Sequence, residues 1–114
     1  MSRLDSFIRR LEAQRACLDF AAEQVAGRPG VVFELGLGNG RTYDHLRGRL
    51  PGRAIYVFER KVAAHPDCVP PAGELFEGDI DRTLPAAVER FKGQVCLVHS
   101  DIGSGDQAMN AKIA

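Results

Sequence analysis

Three glycines at alternate positions, Gly36, Gly38 and Gly40, follow an acid, Glu34, that closes the apolar run Val31-Val32-Phe33. A turn of that composition carries few side chains. Glycine serves it twice: it accepts φ > 0, and without a Cβ it lets another molecule lie against the backbone. Later stretches of apolar or alternating character also end in acids. Glu59, with Arg60 beside it, follows Ala54–Phe58; Asp79 and Ile80 end the segment that begins at Glu74; Asp101 follows Val95–Ser100, two places after His99. Glu59 falls about 20 residues past the glycine turn, where a nucleotide-binding βαβ unit places an acid for the ribose hydroxyls. Such a set suits a nucleoside-like ligand laid across the ends of several strands.

The spacing argues against a dinucleotide. That fingerprint is G-x-G-x-x-G, with a pyrophosphate on the helix N-terminus; here the third glycine comes one place early and Arg41 stands where it belongs. Glu34 beside the turn would repel a pyrophosphate and suit a ligand carrying an ammonium group. At these residues the chain resembles the class I S-adenosylmethionine-dependent methyltransferases, whose first motif is three hydrophobic residues, then [DE]-x-Gly-x-Gly-x-Gly. Every position of that motif is met by Val31–Gly40. The methyl donor of that family has a sulfonium and a zwitterionic methionine end, and no phosphate.

The resemblance implies a site as well as a fold. Glu34, Gly36, Leu37, Gly38 and Gly40 would contact the cofactor S-adenosyl-L-methionine, leaving S-adenosyl-L-homocysteine as product. Glu59, adjoined by Arg60, would accept two hydrogen bonds from the ribose. Asp79 would receive the adenine amine and Ile80 would touch the ring. Asp101, at the end of the fourth strand, would face the transferred methyl and contact both cofactor and acceptor. His99 alternates with Asp101 on one side of that strand: it either assists as a base or is a satisfied core histidine. The stretch His99–Gly103 is not the Asn-Pro-Pro-aromatic motif of amino-group methylating enzymes, which speaks against methylation of adenine, cytosine or glutamine nitrogen.

The elements that position these residues follow from periodicity. Residues 3 to 26 lack Gly and Pro and repeat Leu4, Phe7, Ile8, Leu11, Leu18, Ala21, Ala22 and Val25 at three and four, the pattern of an amphipathic helix covering a sheet, capped by Ser2 or Asp5. A parallel strand then ends at the glycine turn, a helix starts at Arg41, and a second strand runs Ala54–Glu59. Lys61–Pro71 reads as a solvated loop; His65 and Asp67 in it lack the further ligands a metal site needs. Glu74–Ile80 alternates like an edge strand, Thr83–Phe91 reads as a helix with Pro85 in its first turn, and Val95–Ile102 as a central strand. Gly103-Ser104-Gly105 is a loop, and a further helix opens at Asp106.

These elements specify an α/β, Rossmann-like, doubly wound parallel sheet in the order 3-2-1-4, one domain with residues 1–28 as an N-terminal helix and 29–114 as the cofactor-binding part. The resembled fold has further C-terminal strands, so the chain is expected either to be a fragment or to be completed by a partner. In that family a leading helix also closes over the cofactor or helps form a dimer, so a homodimer through this helix or through an open sheet edge is expected.

Composition sets the remaining bounds. With 15 Lys and Arg against 15 Asp and Glu, the 114-residue chain has zero formal charge, which is not the footprint of a nucleic-acid binder. Its three cysteines, Cys17, Cys68 and Cys96, show no C-x-x-C spacing and read as reduced thiols of a cytoplasmic protein. No apolar run approaches membrane length. The expected function is therefore methyl transfer to a small-molecule acceptor. The alternatives are a non-catalytic S-adenosylmethionine-binding or scaffold module and an NAD-type dehydrogenase domain.

Overall fold

The computed structural model describes residues 1–100; Asp101 and everything after it lie outside the described residues. Four strands, β1 (Val31–Leu35), β2 (Ile55–Glu59), β3 (Leu75–Glu77) and β4 (Val95–Ser100), form one sheet in the order β3-β2-β1-β4. Every pairing is parallel, which brings all four C-terminal ends to one rim. Leu35 is level with Phe58 and with Ser100, and Glu59 with Glu77. The expected Rossmann-like order is observed.

Each face of the sheet has its own core. On one, α1 (Arg3–Val25) and α2 (Arg41–Arg49) cover Val32, Ile55 and Val57 with Leu18, Ala22, Leu46 and Leu50. On the other, α3 (Ile80–Arg90) contributes Ala87 to a cluster in which Phe33, Phe58 and Phe91 are buried. Strands buried on both faces must be apolar at every position. That is why β1 and β2 read as continuous apolar runs.

α1 opens with a capping box: the Asp5 amide donates to the Ser2 hydroxyl at 3.0 Å and the Ser2 amide to the Asp5 carboxylate at 3.3 Å. The apolar stripe predicted to cover the sheet does so only at its C-terminal end. Leu18, Ala22 and Val25 are buried, whereas Leu4, Phe7 and Ile8 are 66, 40 and 44% exposed. Arg53 fastens the buried end. Its guanidinium donates to the carbonyls of Val25, Arg28 and Gly30 at 2.7–3.0 Å, supplying donors to a helix terminus whose own turn has no basic residue. A second tie joins α1 to α2, where Asp19 meets His45 at 2.6 Å and Arg49 at 3.2 Å. The His45 bond, followed by the Arg49 charge, holds the Asp19 carboxyl below its ordinary 3.8 against the opposing effect of desolvation.

Two other expectations are corrected. β3 is a true edge strand but only Leu75–Glu77, because Ala72–Glu74 coil into a 3₁₀ turn. α3 starts at Ile80 rather than Thr83, with Asp79 as N-cap, so Pro85 sits in the second turn. The Asp81 carbonyl then lacks its usual donor, a cost that is tolerable because residues 81 and 82 are exposed. Among the described residues β4 pairs with β1, and Val98 on it is 54% exposed.

Candidate active site

The glycine turn lies at the middle of the rim. Gly36, Gly38 and Gly40 have φ of 92°, 56° and 89°, all in the left-handed region that disfavours other residues. Gly40 is also the N-cap of α2, and a Cβ there would lie 2.5 Å from the Cβ of Cys68 and 3.2 Å from that of Ala64. The segment 61–71 is thus not merely solvated. It folds over the turn, with the His65 amide on the Asn39 carbonyl at 3.4 Å and Arg47 bonded to the Asp67 carbonyl. Within it His65 Nδ1 accepts from the Asp67 amide at 3.1 Å, which makes it the cap of a 3₁₀ turn at Pro66–Cys68. The exposed Asn39 side chain accepts from the Arg41 amide at 3.0 Å.

Glu59 reaches the turn from β2. Its Oε2 accepts from the amides of Leu37 at 2.8 Å and Gly38 at 3.0 Å, and its Oε1 from the Arg60 amide at 2.8 Å. A carboxylate has about four lone-pair sites. Three are filled here, so as the residues stand Oε1 keeps room for one hydroxyl donor, where two had been expected. Leu37 is itself wholly buried and offers only backbone to the rim, while Arg60 is exposed beside it. The arrangement also decides between ligand classes. In a dinucleotide site such turn amides point at a pyrophosphate; here an acid has taken them, leaving a negative, phosphate-repelling lip.

Asp79 occupies the next strand end, where the Gly78 amide bonds the Glu59 carbonyl at 2.9 Å. It holds the N-cap position of α3 without using its side chain as a cap, so its exposed carboxylate remains available at the rim. Ile80 is half-buried behind it against the aromatic core. An open hollow of about 400 Å³ lies outside this point, between β3 and α3, bordered by Phe76, Asp79, Arg82 and Arg90. It is on the outer edge of the sheet and does not include the glycine turn.

Glu34 is the largest departure from expectation. Predicted to face a cationic ligand, it is wholly enclosed, its Oε2 accepting from the Thr42 hydroxyl at 3.3 Å and its Oε1 lying 2.5 Å from His99 Nδ1. It acts from beneath the turn. His99, left open between base and core histidine, is therefore a bonded residue of the rim with 23% side-chain exposure. Thr42 was missed by the sequence reading, its one signal being its place in the first turn after Gly40. Asp101, proposed to meet the methyl and the acceptor, lies outside the described residues.

The bare turn, the flanking acid on its amides and a further carboxylate on the next strand end fit an adenosine with a cationic centre and no phosphate. In such an arrangement Glu59 and Asp79 would hold the nucleoside while Gly36–Gly40 would admit the rest of the donor against backbone.

Comparison with known proteins agrees. The profile of an S-adenosyl-L-methionine methyltransferase family matches residues 1–114. The crystal structure of an S-adenosyl-L-methionine methyl transferase from Silicibacter pomeroyi DSS-3 superimposes with a TM-score of 0.88 at 56% sequence identity, over 99% of this chain and 69% of that one. No curated protein matches. A profile match along the whole chain, converging with a turn built for a phosphate-free nucleoside, places the protein in the S-adenosyl-L-methionine methyltransferase family, an enzyme that takes its methyl group from that cofactor.

Proposed function

We propose that the methyl acceptor is a small molecule, that transfer takes place in the cytoplasm, and that neither nucleic acid nor a membrane is the partner. Zero formal charge supports the exclusion of nucleic acid. Among the described residues no helix is long and apolar enough to cross a membrane. A homodimer belongs to the same proposal, supported by the exposed Leu4, Phe7 and Ile8 of α1 and by the exposed Val98 of β4.

Methyl transfer is an in-line displacement at carbon. Holding donor and acceptor collinear is worth about 7–11 kcal/mol in well-oriented systems, so the residues that orient the donor carry much of the rate. Glu59 and Asp79 at neighbouring strand ends fix the nucleoside, and the turn at Gly36–Gly40 fixes the methionine end. The observation that carries this reading is the Glu59 carboxylate on the Leu37 and Gly38 amides.

Titration calorimetry tests it. S-adenosyl-L-homocysteine should bind and NAD should not. Glu59→Ala should weaken binding of the former at least tenfold, equivalent to about 1.4 kcal/mol, because both the hydroxyl acceptor and the order of the turn are lost. Binding of NAD in preference, or an unchanged affinity in the variant, would overturn the assignment.

A further inference from the structure

The hollow between β3 and α3 shares only Asp79 with the donor site. β3 lies two strands from β1, whose end forms the glycine turn, so at about 4.8 Å per strand the hollow begins roughly 10 Å from that turn. Its wall carries little negative charge. Side chains alternate along a strand: Leu75 packs into the aliphatic core and Phe76 into the aromatic one, so Glu77 turns to the aliphatic side, where its Oε2 accepts from the Val62 amide at 3.3 Å. Glu77 therefore offers the hollow its backbone and not its carboxylate. The Gly78 amide is bonded to the Glu59 carbonyl on β2; successive amides of a strand point to opposite sides, so that of Glu77 projects away from β2.

The cations are disposed differently. Arg82, Ala86 and Arg90 follow one another at every fourth residue of α3 and so share a stripe of the helix, about 12 Å long at 1.5 Å per residue, and all three border the hollow. Both arginines are exposed, and neither guanidinium has a carboxylate or carbonyl partner among the described residues. Arg90 is nonetheless fixed in place. Its Cζ lies 4.6 Å from the ring centre of Phe91 and 5.8 Å from that of Tyr56, and stacking of this kind leaves the N–H groups at the guanidinium edge free to donate. Phe76, half-buried, has one face stacked on Phe58 at 5.0 Å and borders the hollow with the rest of its ring.

We infer that this hollow is a second ligand site and that its ligand is an aryl carboxylate, with its flat apolar body on Phe76 and Ala86 and its carboxylate on Arg90. The class follows from the wall. Guanidiniums without partners select an anion, and their planar fork matches a carboxylate. An aromatic floor favours a ring, which can pack on Phe76 by its face or edge; an inorganic anion would leave that floor wet. A volume of about 400 Å³ suits a small molecule. Arg82, towards the rim, adds a second positive charge without a ring to fix it. Methyl transfer needs its reacting atoms about 3–3.5 Å apart, so an acid bound at this distance from the glycine turn is an accessory ligand of the enzyme rather than its methyl acceptor.

The probe is 3-phenylpropionate, titrated into the ¹⁵N-labelled full chain and followed by ¹H–¹⁵N spectra. Saturable shifts are expected at the amides of Glu77, Gly78, Thr83 and Arg90, with a Kd of about 1 mM or lower, and the uncharged 3-phenylpropionamide should bind at least tenfold more weakly. Arg90→Gln and Ala86→Phe should each weaken binding of the acid at least tenfold, the first by removing the charge and the second by filling the hollow, while the affinity for S-adenosyl-L-homocysteine stays as it is. Both positions are exposed on α3, so the fold should survive either change. Absence of saturable shifts, shifts confined to Gly36–Gly40, displacement of the acid by saturating S-adenosyl-L-homocysteine, equal affinity for acid and amide, or unchanged affinity in both variants would each overturn the inference. None of these results touches the methyltransferase reading, which fails instead if S-adenosyl-L-homocysteine itself does not bind.

Discussion

The two faces of the sheet are built from different materials. Under α3 the core is aromatic: Phe33 meets Phe58 edge-on at 5.0 Å and Phe91 at 5.9 Å, and Phe58 stacks on Phe76 at 5.0 Å. Under α1 and α2 the core is aliphatic but for Tyr43, and within it lie Glu34 with Thr42 and His99 and, nearer the surface, the Asp19–His45 tie. Aromatic rings bury large areas and gain from edge contacts, so the first face supplies cohesion. The second tolerates buried polar groups and a turn of glycines. Stability and function have been assigned largely to opposite sides of one sheet, with β1 sending Phe33 to one and Glu34 to the other.

The strongest way to break that comparison is Phe33→Ala, which removes a ring only 2% exposed from the middle of the aromatic cluster. A loss of about 3–5 kcal/mol is expected in urea unfolding, with the affinity of the folded protein for S-adenosyl-L-homocysteine retained. A loss of affinity matching the loss of stability would show that the faces are not separable. Gly40→Ala should act on the other side. The new Cβ meets Cys68 at 2.5 Å and φ stays at +89°, so about 1–3 kcal/mol of stability should go, and cofactor binding with it, because the segment 61–71 must lift. Gly48→Ala in the same helix is the control. Nothing lies within 4 Å of that position, and the variant should gain up to about 1 kcal/mol in thermal unfolding.

The smallest effect is expected at the α1–α2 tie. Since Asp19 is held below its ordinary 3.8 mainly by the His45 bond, its pairing contributes stability above that pH and loses it as the pH falls below. Asp19→Asn should therefore be less stable than wild type near neutrality, and the two unfolding curves should converge in acid. Curves that stay parallel down to the acid limit would remove this tie from the account.

The rim was legible because its signals are local. Glycines at alternate positions and an acid after each apolar run mark strand ends whatever lies beside them, and the strand order followed from right-handed crossovers between four such units. Contacts that depend on which strands are neighbours were not legible. Glu34 and His99 are 65 residues apart, and nothing in either segment says that they pair; with Glu34 next to a glycine turn, a ligand was the nearer partner to imagine. The α1 stripe failed differently. Leu4, Phe7 and Ile8 share the three-and-four spacing of Leu18, Ala22 and Val25, and periodicity reports an apolar face without saying where the underlying sheet ends. Pro85 biased the start of α3, because a proline favours the first turn and an exposed second turn can still hold one.

By itself the sequence determined the class of cofactor and the strand ends at which the acids gather, since bare backbone and strand-end acids are properties of residue type and spacing. Only the tertiary structure decided what each acid does. Glu59 came to rest on the turn's own amides and Glu34 was sealed beneath it against an imidazole, because parallel register and burial, which no local stretch encodes, choose the partner of a charge.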